Sequence, residues 1–274
     1  LNSLKVDYDE LLITSPSASG DQMRRIVESC KSTGKIYKTV PNFSELLDKE
    51  ITLAAIRDVS YADLLGRDEV ILDTHSIEEM LHGKRVLITG AGGSIGSELV
   101  KTCLGFSPAE IICLDQSEEH IYNLDQYITK TQSNTIIRTV LASVNNKKEL
   151  QKVFIDNQPN IVFHAAAYKH VPIQEMHPWT AVQTNIGGTL KMVELSDRYS
   201  VDKFVLVSTD KAVNPVNVMG ATKRVAEKLI QSFNSKSNTC FMSVRFGNVL
   251  GSSGSAIPTF QKQINEGGPI TITD

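Results

Sequence analysis

At 274 residues, with 41% hydrophobic and 22% charged side chains, the chain has the composition of a soluble globular protein, long enough for one large domain or one domain and part of another. Its net charge of −3 supplies no basic field, which argues against bulk attraction to nucleic acid or to an anionic membrane surface. The six histidines show no ligand spacing with cysteine or carboxylate, so no metal is expected; no apolar run approaches the roughly 20 residues that cross a bilayer, and nothing reads as a signal peptide. Cys30, Cys103, Cys113 and Cys240 have no paired spacing, and three lie among apolar neighbours, which reads as reduced, buried and intracellular.

Along the chain, Leu11–Thr14 reads as a short strand and Asp21–Lys31 as a helix with Met23, Ile26 and Val27 on one face. Pro41–Leu47 starts another short helix, and Asp48–Leu81 is mixed and polar. Residues 1–82 therefore read as the C-terminal part of an α/β domain plus a connector. From Lys84 the pattern sharpens. Arg85–Thr89 is a nearly all-apolar strand of the type buried in parallel sheets, and further strands are expected at Ile111–Leu114, Ile136–Leu141, Ile161–Ala165, Phe204–Val207 and Phe241–Arg245. Helices are expected between them, at Ser94–Leu104, Ser117–Thr129, Lys147–Asp156, Trp179–Tyr199 and Val218–Phe233. This alternation specifies an α/β fold with a doubly wound, Rossmann-like parallel sheet over residues 83–274, its ligands lying across the carboxyl ends of the strands. A Gly/Ser-rich loop at Gly247–Gly254 leads to a helix near Ile257–Ile264. The chain begins on Leu1 and stops inside what reads as another strand, so it is taken as a piece of a longer protein, its second domain truncated at the C-terminal end.

Gly90-Ala91-Gly92-Gly93-Ser94-Ile95-Gly96 follows the first of these strands and opens a helix. Gly90, Gly93 and Gly96 allow a tight turn and bring backbone N–H groups of Ser94 and Ile95 to a pyrophosphate, where the helix N-terminus adds partial positive charge. Asp115 ends the next strand 19 residues after Gly96, the distance expected for a carboxylate on the adenosine ribose. Such a carboxylate accepts from both ribose hydroxyls and repels a 2′-phosphate; Gln116 and Ser117 follow it with no arginine nearby, which favours NAD over NADP. Asp115 can also serve as an N-cap for the helix at Ser117.

With this fingerprint, His164-Ala165-Ala166-Ala167, Ser208-Thr209-Asp210-Lys211 and the Met219/Lys223 pair in register, the chain resembles the extended short-chain dehydrogenase/reductase superfamily. Within it, the chain is most similar to the large, membrane-associated bacterial nucleotide-sugar 4,6-dehydratases of polysaccharide and glycoprotein biosynthesis. The superfamily's common pattern is Tyr-x-x-x-Lys; methionine at the tyrosine position, as at Met219, is a mark of this branch. The resemblance implies a UDP-N-acetylglucosamine 4,6-dehydratase working by internal redox with NAD. It also implies a membrane anchor outside this chain, a place at the cytoplasmic face of the bacterial plasma membrane, and assembly as a homo-oligomer.

The site residues follow from the same register. Lys211 is the candidate base at C5 of the sugar, provided burial near Lys223 lowers its pKa, and Asp210 the candidate acid at C6, helped if burial keeps it protonated. Thr209 would bond the C4 oxygen; the C4 base is left open between Asp210 and a water held by Thr209. Lys223 would hold the nicotinamide ribose, and Ala165, Ala166 and Ala167 would line the cofactor. Lys169 and His170 are expected at the sugar or its phosphates, and Asn248, with Arg245, at the diphosphate. Ser143 and Val144 stand where relatives place an aspartate that contacts adenine, a departure that leaves Ser143 as the hydrogen-bonding group. Blander readings stand beside these: a surface ion pair for Asp210-Lys211, core packing for Met219, loop capping for His170, a buried structural role for His164, and core or helix–helix contact for Trp179. Two other functions compete, a nucleotide-sugar 4-epimerase and a non-catalytic NAD-binding regulator.

Overall fold

The computed structural model describes residues 8–15, 17–40, 59, 73–131, 133–249 and 256–271, so the helix expected at Pro41–Leu47 and most of the expected connector lie outside the described residues. The chain divides into two compact units, Leu1–Leu72 and Asp73–Asp274.

In the first unit, β1 (Glu10–Ile13) and β2 (Ile36–Thr39) pair in parallel, with α1 (Gly20–Lys31) between them in sequence. Helix α1 starts at a capping box, in which Ser19 and Gln22 each bond the other's backbone N–H and so satisfy two donors the helix cannot. Met23, Val27 and Cys30 recur at helical spacing and bury against Ile13. Strand β2 has no counterpart among the expected elements: four residues give alternation too little length to register.

The second unit opens with α2 (Thr74–Leu81), whose Leu81 is buried in one cluster with Val86, Ile88 and Ile111. The unit boundary therefore falls ahead of the expected one at 82, because this helix belongs to the core that follows it. Six strands, β3 (Arg85–Thr89), β4 (Glu110–Asp115), β5 (Ile136–Leu141), β6 (Ile161–His164), β7 (Lys203–Thr209) and β8 (Cys240–Phe246), form one sheet in the order β5-β4-β3-β6-β7-β8, parallel throughout. Successive residues point to opposite faces, so Leu87, Ile112 and Phe204 enter one core and Val86, Ile88 and Ile111 the other. Helices α3 (Ser94–Leu104) and α4 (Glu118–Thr129) cover the second core, and α5 (Lys147–Asn157) the first. The winding reverses between β3 and β6, which opens a crevice at their carboxyl ends, where Thr89 and His164 are register partners.

After β6 come α6 (Val171–Met176) and α7 (Pro178–Ala181), which runs through a π-helical stretch, Val182–Gly188, into α8 (Thr189–Arg198). The single helix expected at Trp179–Tyr199 is thus widened for two turns, and Trp179, expected in the core or between helices, is 73% exposed at its start. Helix α9 (Val218–Asn234) packs between β7 and β8 in sequence and against both in space, and α10 (Ala256–Asn265) closes the described chain.

Candidate active site

The turn after β3 has no room for side chains. Gly90 adopts φ +66°, and a Cβ there would stand 2.8 Å from the Ala166 nitrogen; a Cβ on Gly96 would stand 1.9 Å from the Gly90 carbonyl oxygen. The α3 N-cap, Gly93, makes no side-chain capping bond, so the first amides of α3 point into a cleft of about 440 Å³. Asp115 lines the same cleft, beside the glycine turn. Its two oxygens accept one backbone N–H each, from Gly92 and Ser117, both at 3.0 Å, which aims the carboxylate and leaves lone pairs over. Ser117, not Asp115, caps α4, accepting from the His120 N–H. A close-approach glycine turn, an uncapped helix N-terminus and a buried carboxylate at the end of the next strand together fit a dinucleotide with free ribose hydroxyls.

Of the residues expected to hold that group, Gly90, Gly93, Ser94, Ile95, Gly96, Asp115, Gln116, Val144, Ala165, Ala166 and Ala167 line this cleft. Ser143 does not. Its hydroxyl donates to Gln116 Oε1 at 3.1 Å, so it acts on the wall rather than in it. Among the other lining residues, His120, Tyr168 and Thr184 were not foreseen. Tyr168 sits between two expected residues, and its backbone is fastened at both N–H and C=O by the buried Asn185 amide, at 2.9 and 3.0 Å. Asn185 belongs to the π-helical stretch and also donates to Thr222 Oγ1, so this irregularity ties the loop after β6 to α9.

The crevice continues past Ile95, Ala165, Tyr168, Lys169 and His170 into a second cleft of about 630 Å³. Thr209, Lys211, Met219, Lys223 and Asn248 line it, with Phe246, Thr259, Phe260, Gln263 and Thr271, which the sequence reading did not single out. Thr209 Oγ1 donates to Asp210 Oδ1 at 2.9 Å; Lys211 Nζ donates to the same oxygen at 3.2 Å and to Asn248 Oδ1 at 3.1 Å. The Asp210 side chain is 56% exposed, at the rim rather than in the lining. The bond from the Thr209 hydroxyl, together with the bond and charge of Lys211, holds its carboxyl below the usual carboxylate range. The expectation that burial keeps Asp210 protonated is therefore corrected.

Burial falls on Lys223 instead, which is 5% exposed and donates to the Val207 carbonyl at 2.7 Å; loss of hydration lowers its pKa to about 8 against the opposing charge of Glu227. Lys211 remains partly exposed. Met219 is buried, as core packing requires, and also lines the second cleft. His164 bridges Thr89 and Thr189 at 2.7 and 3.0 Å with no exposure, and burial pushes its pKa down to about 3, so it is a neutral structural group.

Arg245 is a second correction. It lines neither cleft; its guanidinium forks onto Glu227 at 2.7 and 2.6 Å, so it is not placed for substrate contact. Glu227, 1% exposed, also accepts from Ser208 Oγ at 2.7 Å and from Arg224 at 3.1 Å, and these bonds, Arg245 foremost, hold its carboxyl down at about 2. Among the described residues no group of acidic, histidine or cysteine side chains could hold a metal ion.

A doubly wound sheet with a glycine cradle at its switch point and an acid–base cluster two strands away defines a nucleotide-binding α/β protein of enzyme-like build. The chain belongs to the family described as polysaccharide biosynthesis protein, whose pattern matches residues 86–274. It is 44% identical to the probable polysaccharide biosynthesis protein EpsC of Bacillus subtilis over all of this chain and 46% of that one. It is 38% identical to a UDP-N-acetylglucosamine 4,6-dehydratase (inverting) of Campylobacter jejuni, over 71% of this chain and 58% of that one. A UDP-glucose 4-epimerase of Rickettsia canadensis is 36% identical over the same shares of the two chains. The crystal structure of Pen from Bacillus thuringiensis superposes with a TM-score of 0.67 at 38% identity, over 71% of this chain and 61% of that one. The chain thus spans about half the length of the curated relatives it matches.

Proposed function

We propose that this chain carries the NAD-binding core of a UDP-N-acetylglucosamine 4,6-dehydratase, a hydro-lyase acting in bacterial surface polysaccharide or glycoprotein glycan synthesis. The observation that supports it most is the cluster Thr209–Asp210–Lys211–Asn248, hydrogen-bonded within one cleft where Met219 takes the place of a phenol. Bound NAD would accept hydride from the sugar C4 and return it to C6.

The chain's own groups can supply the proton transfers in a balanced order. Asp210 is an anion that already accepts the Thr209 hydroxyl, so the C4 hydroxyl proton can pass through Thr209 to Asp210. Asp210, now carrying that proton, is the acid that releases it to the departing C6 hydroxyl, which leaves as water. Lys211, once its ammonium has given a proton to solvent, takes the proton from C5 and gives one back when hydride returns to C6. One carboxyl thus serves as base and then acid, and burial is not needed to charge it with a proton. Lys223 would bond the nicotinamide ribose and Lys169 and His170 would face the sugar phosphates, while Asn248, which accepts from Lys211, would orient it.

The epimerase reading keeps the same fold, and identities of 38% and 36% do not separate the two. Epimerisation needs oxidation at C4 but no elimination, so it leaves Lys211 without a task. In the whole protein the reading includes a homo-oligomer anchored at the cytoplasmic face of the membrane by a segment outside this chain; among the described residues no helix is long and apolar enough to cross a membrane.

Proton NMR of the reaction in deuterated water, with UDP-N-acetylglucosamine and NAD, tests the reading. Dehydration gives a 4-keto-6-deoxy product with deuterium at C5 and no net NADH, and Lys211→Ala abolishes it. A product with its 6-hydroxyl intact supports epimerisation; NAD binding without turnover supports a regulator.

A further inference from the structure

Glu227 plays no part in the chemistry above, yet it is the most heavily bonded buried side chain of this region. It sits on α9 one turn after Lys223 and faces the ends of β7 and β8. Ser208 and Arg245, which it bonds, are register partners across those strands, and Thr209 and Phe246 are the next pair. Lys211 and Asn248 lie just beyond, and meet at 3.1 Å. One carboxylate therefore holds both strands at the last rung before the chain turns into the reactive cluster. The charged groups that face it are Arg224 and Lys223 from its own helix and Arg245 from β8, while β7 offers it only the Ser208 hydroxyl. Lys223 in turn has Glu227 as its compensating charge and, from β6, only the neutral His164.

We propose that Glu227 is a positioning residue for the dehydration reaction: its carboxylate locks the ends of β7 and β8 in the register that brings Lys211 to Asn248. This rests on the dehydratase reading. Two parts follow from where Glu227 stands: register is set by the fork to Arg245 and the bond from Ser208, and a negative charge is placed one helical turn from the buried Lys223 by the carboxylate alone. A packing role, by contrast, affects folding without touching the titration of Lys223.

The test follows turnover of UDP-N-acetylglucosamine together with the titration of Lys223, read by carbon NMR of protein labelled at the lysine Cε and assigned by the signal missing in Lys223→Arg. In wild type Lys223 titrates near 8. In Glu227→Gln its titration moves down by about one unit or more, and kcat falls roughly tenfold or more with KM nearly unchanged. Ser208→Ala and Arg245→Lys keep the carboxylate; they leave the titration in place and lower kcat several-fold, and they carry the test if Glu227→Gln does not fold. An unmoved Lys223 titration in folded Glu227→Gln overturns the charge part, and wild-type kcat in both Ser208→Ala and Arg245→Lys overturns the register part. Absence of turnover in wild type itself sinks the dehydratase reading, and the Lys223 titration still judges Glu227.

Discussion

Lys223 sets opposite demands on activity and stability. Its folded pKa, about 8, lies below the ordinary 10.5 because its ammonium is buried. A lowered amine pKa means that the folded state gives up the proton before the unfolded one does. Between pH 8 and 10.5 the unfolded chain thus binds more protons, and stability rises with pH across that window. The full relief amounts to roughly 3 kcal/mol. On the dehydratase reading activity goes the other way, because the ribose contact proposed for Lys223 needs the ammonium. Turnover should decline as pH rises through about 8 while the thermal midpoint climbs. Lys223→Met should remove both effects, with turnover lost and a higher, flatter midpoint from pH 7 to 10. A midpoint that falls in wild type between pH 8 and 10 contradicts the burial of this charge. Asp210 was harder to read from sequence. Its neighbours in the chain are visible, but its exposure at the rim is a property of where the 3-10 turn after β7 begins, so the expected protonation did not hold.

Helix α9 is brought to the reactive turn by an absence of side chain. A Cβ on Gly220 would stand 2.3 Å from the Lys211 carbonyl oxygen, and Asn217 and Glu175 cap the helix directly beside it, at 2.7 Å to Gly220 N–H and 2.6 Å to Val218 N–H. Gly220→Ala gains helix propensity of about 1 kcal/mol but must push the helix start off the turn, and overpacking of that kind costs about 1–3 kcal/mol. The expected result is a lower thermal midpoint and at least a roughly tenfold loss of kcat, since Lys211 shifts with its backbone. A stabilised, fully active variant means that the helix can slide freely. The glycines of the cradle were legible because their spacing lies in one short segment between an apolar strand and a helix. Gly220 was not singled out, because its contact is with a residue nine positions away in the chain, and a sequence pattern carries no such distance. Buried strands β3 and β4 were equally legible, since burial on both faces forces continuous apolar runs. The π-helical stretch was not, because a widened turn keeps helical composition; it is the bond of Asn185 to the Tyr168 backbone that holds it. The Glu227 fork was hidden too: Arg245 was read as a substrate contact, Glu227 is unremarkable in sequence, and only the packing of α9 across two strand ends makes them a pair.

At the scale of the molecule, the second unit carries the whole described crevice, and its core is its own. A fragment of residues 73–274 should therefore fold and bind NAD with the affinity of the full chain. The sequence placed the domain start at 83, after α2; the packing says that cutting there opens the core. Leu81 is 2% exposed, and Ile77 and Met80 pack partly buried against the same cluster of Val86, Ile88 and Ile111, which lies under β3 and hence under the cradle. Exposing one full and two partial aliphatic side chains' worth of surface costs roughly 3–5 kcal/mol, and at about 2–4 °C per kcal/mol for a unit of this size the thermal midpoint should drop by roughly 10 °C. NAD binding in the 83–274 fragment should weaken less than stability does, because no residue of α2 lines the cleft. Equal midpoints for the two fragments, measured by calorimetry without ligand, would place the boundary back at 82 and make α2 a connector after all.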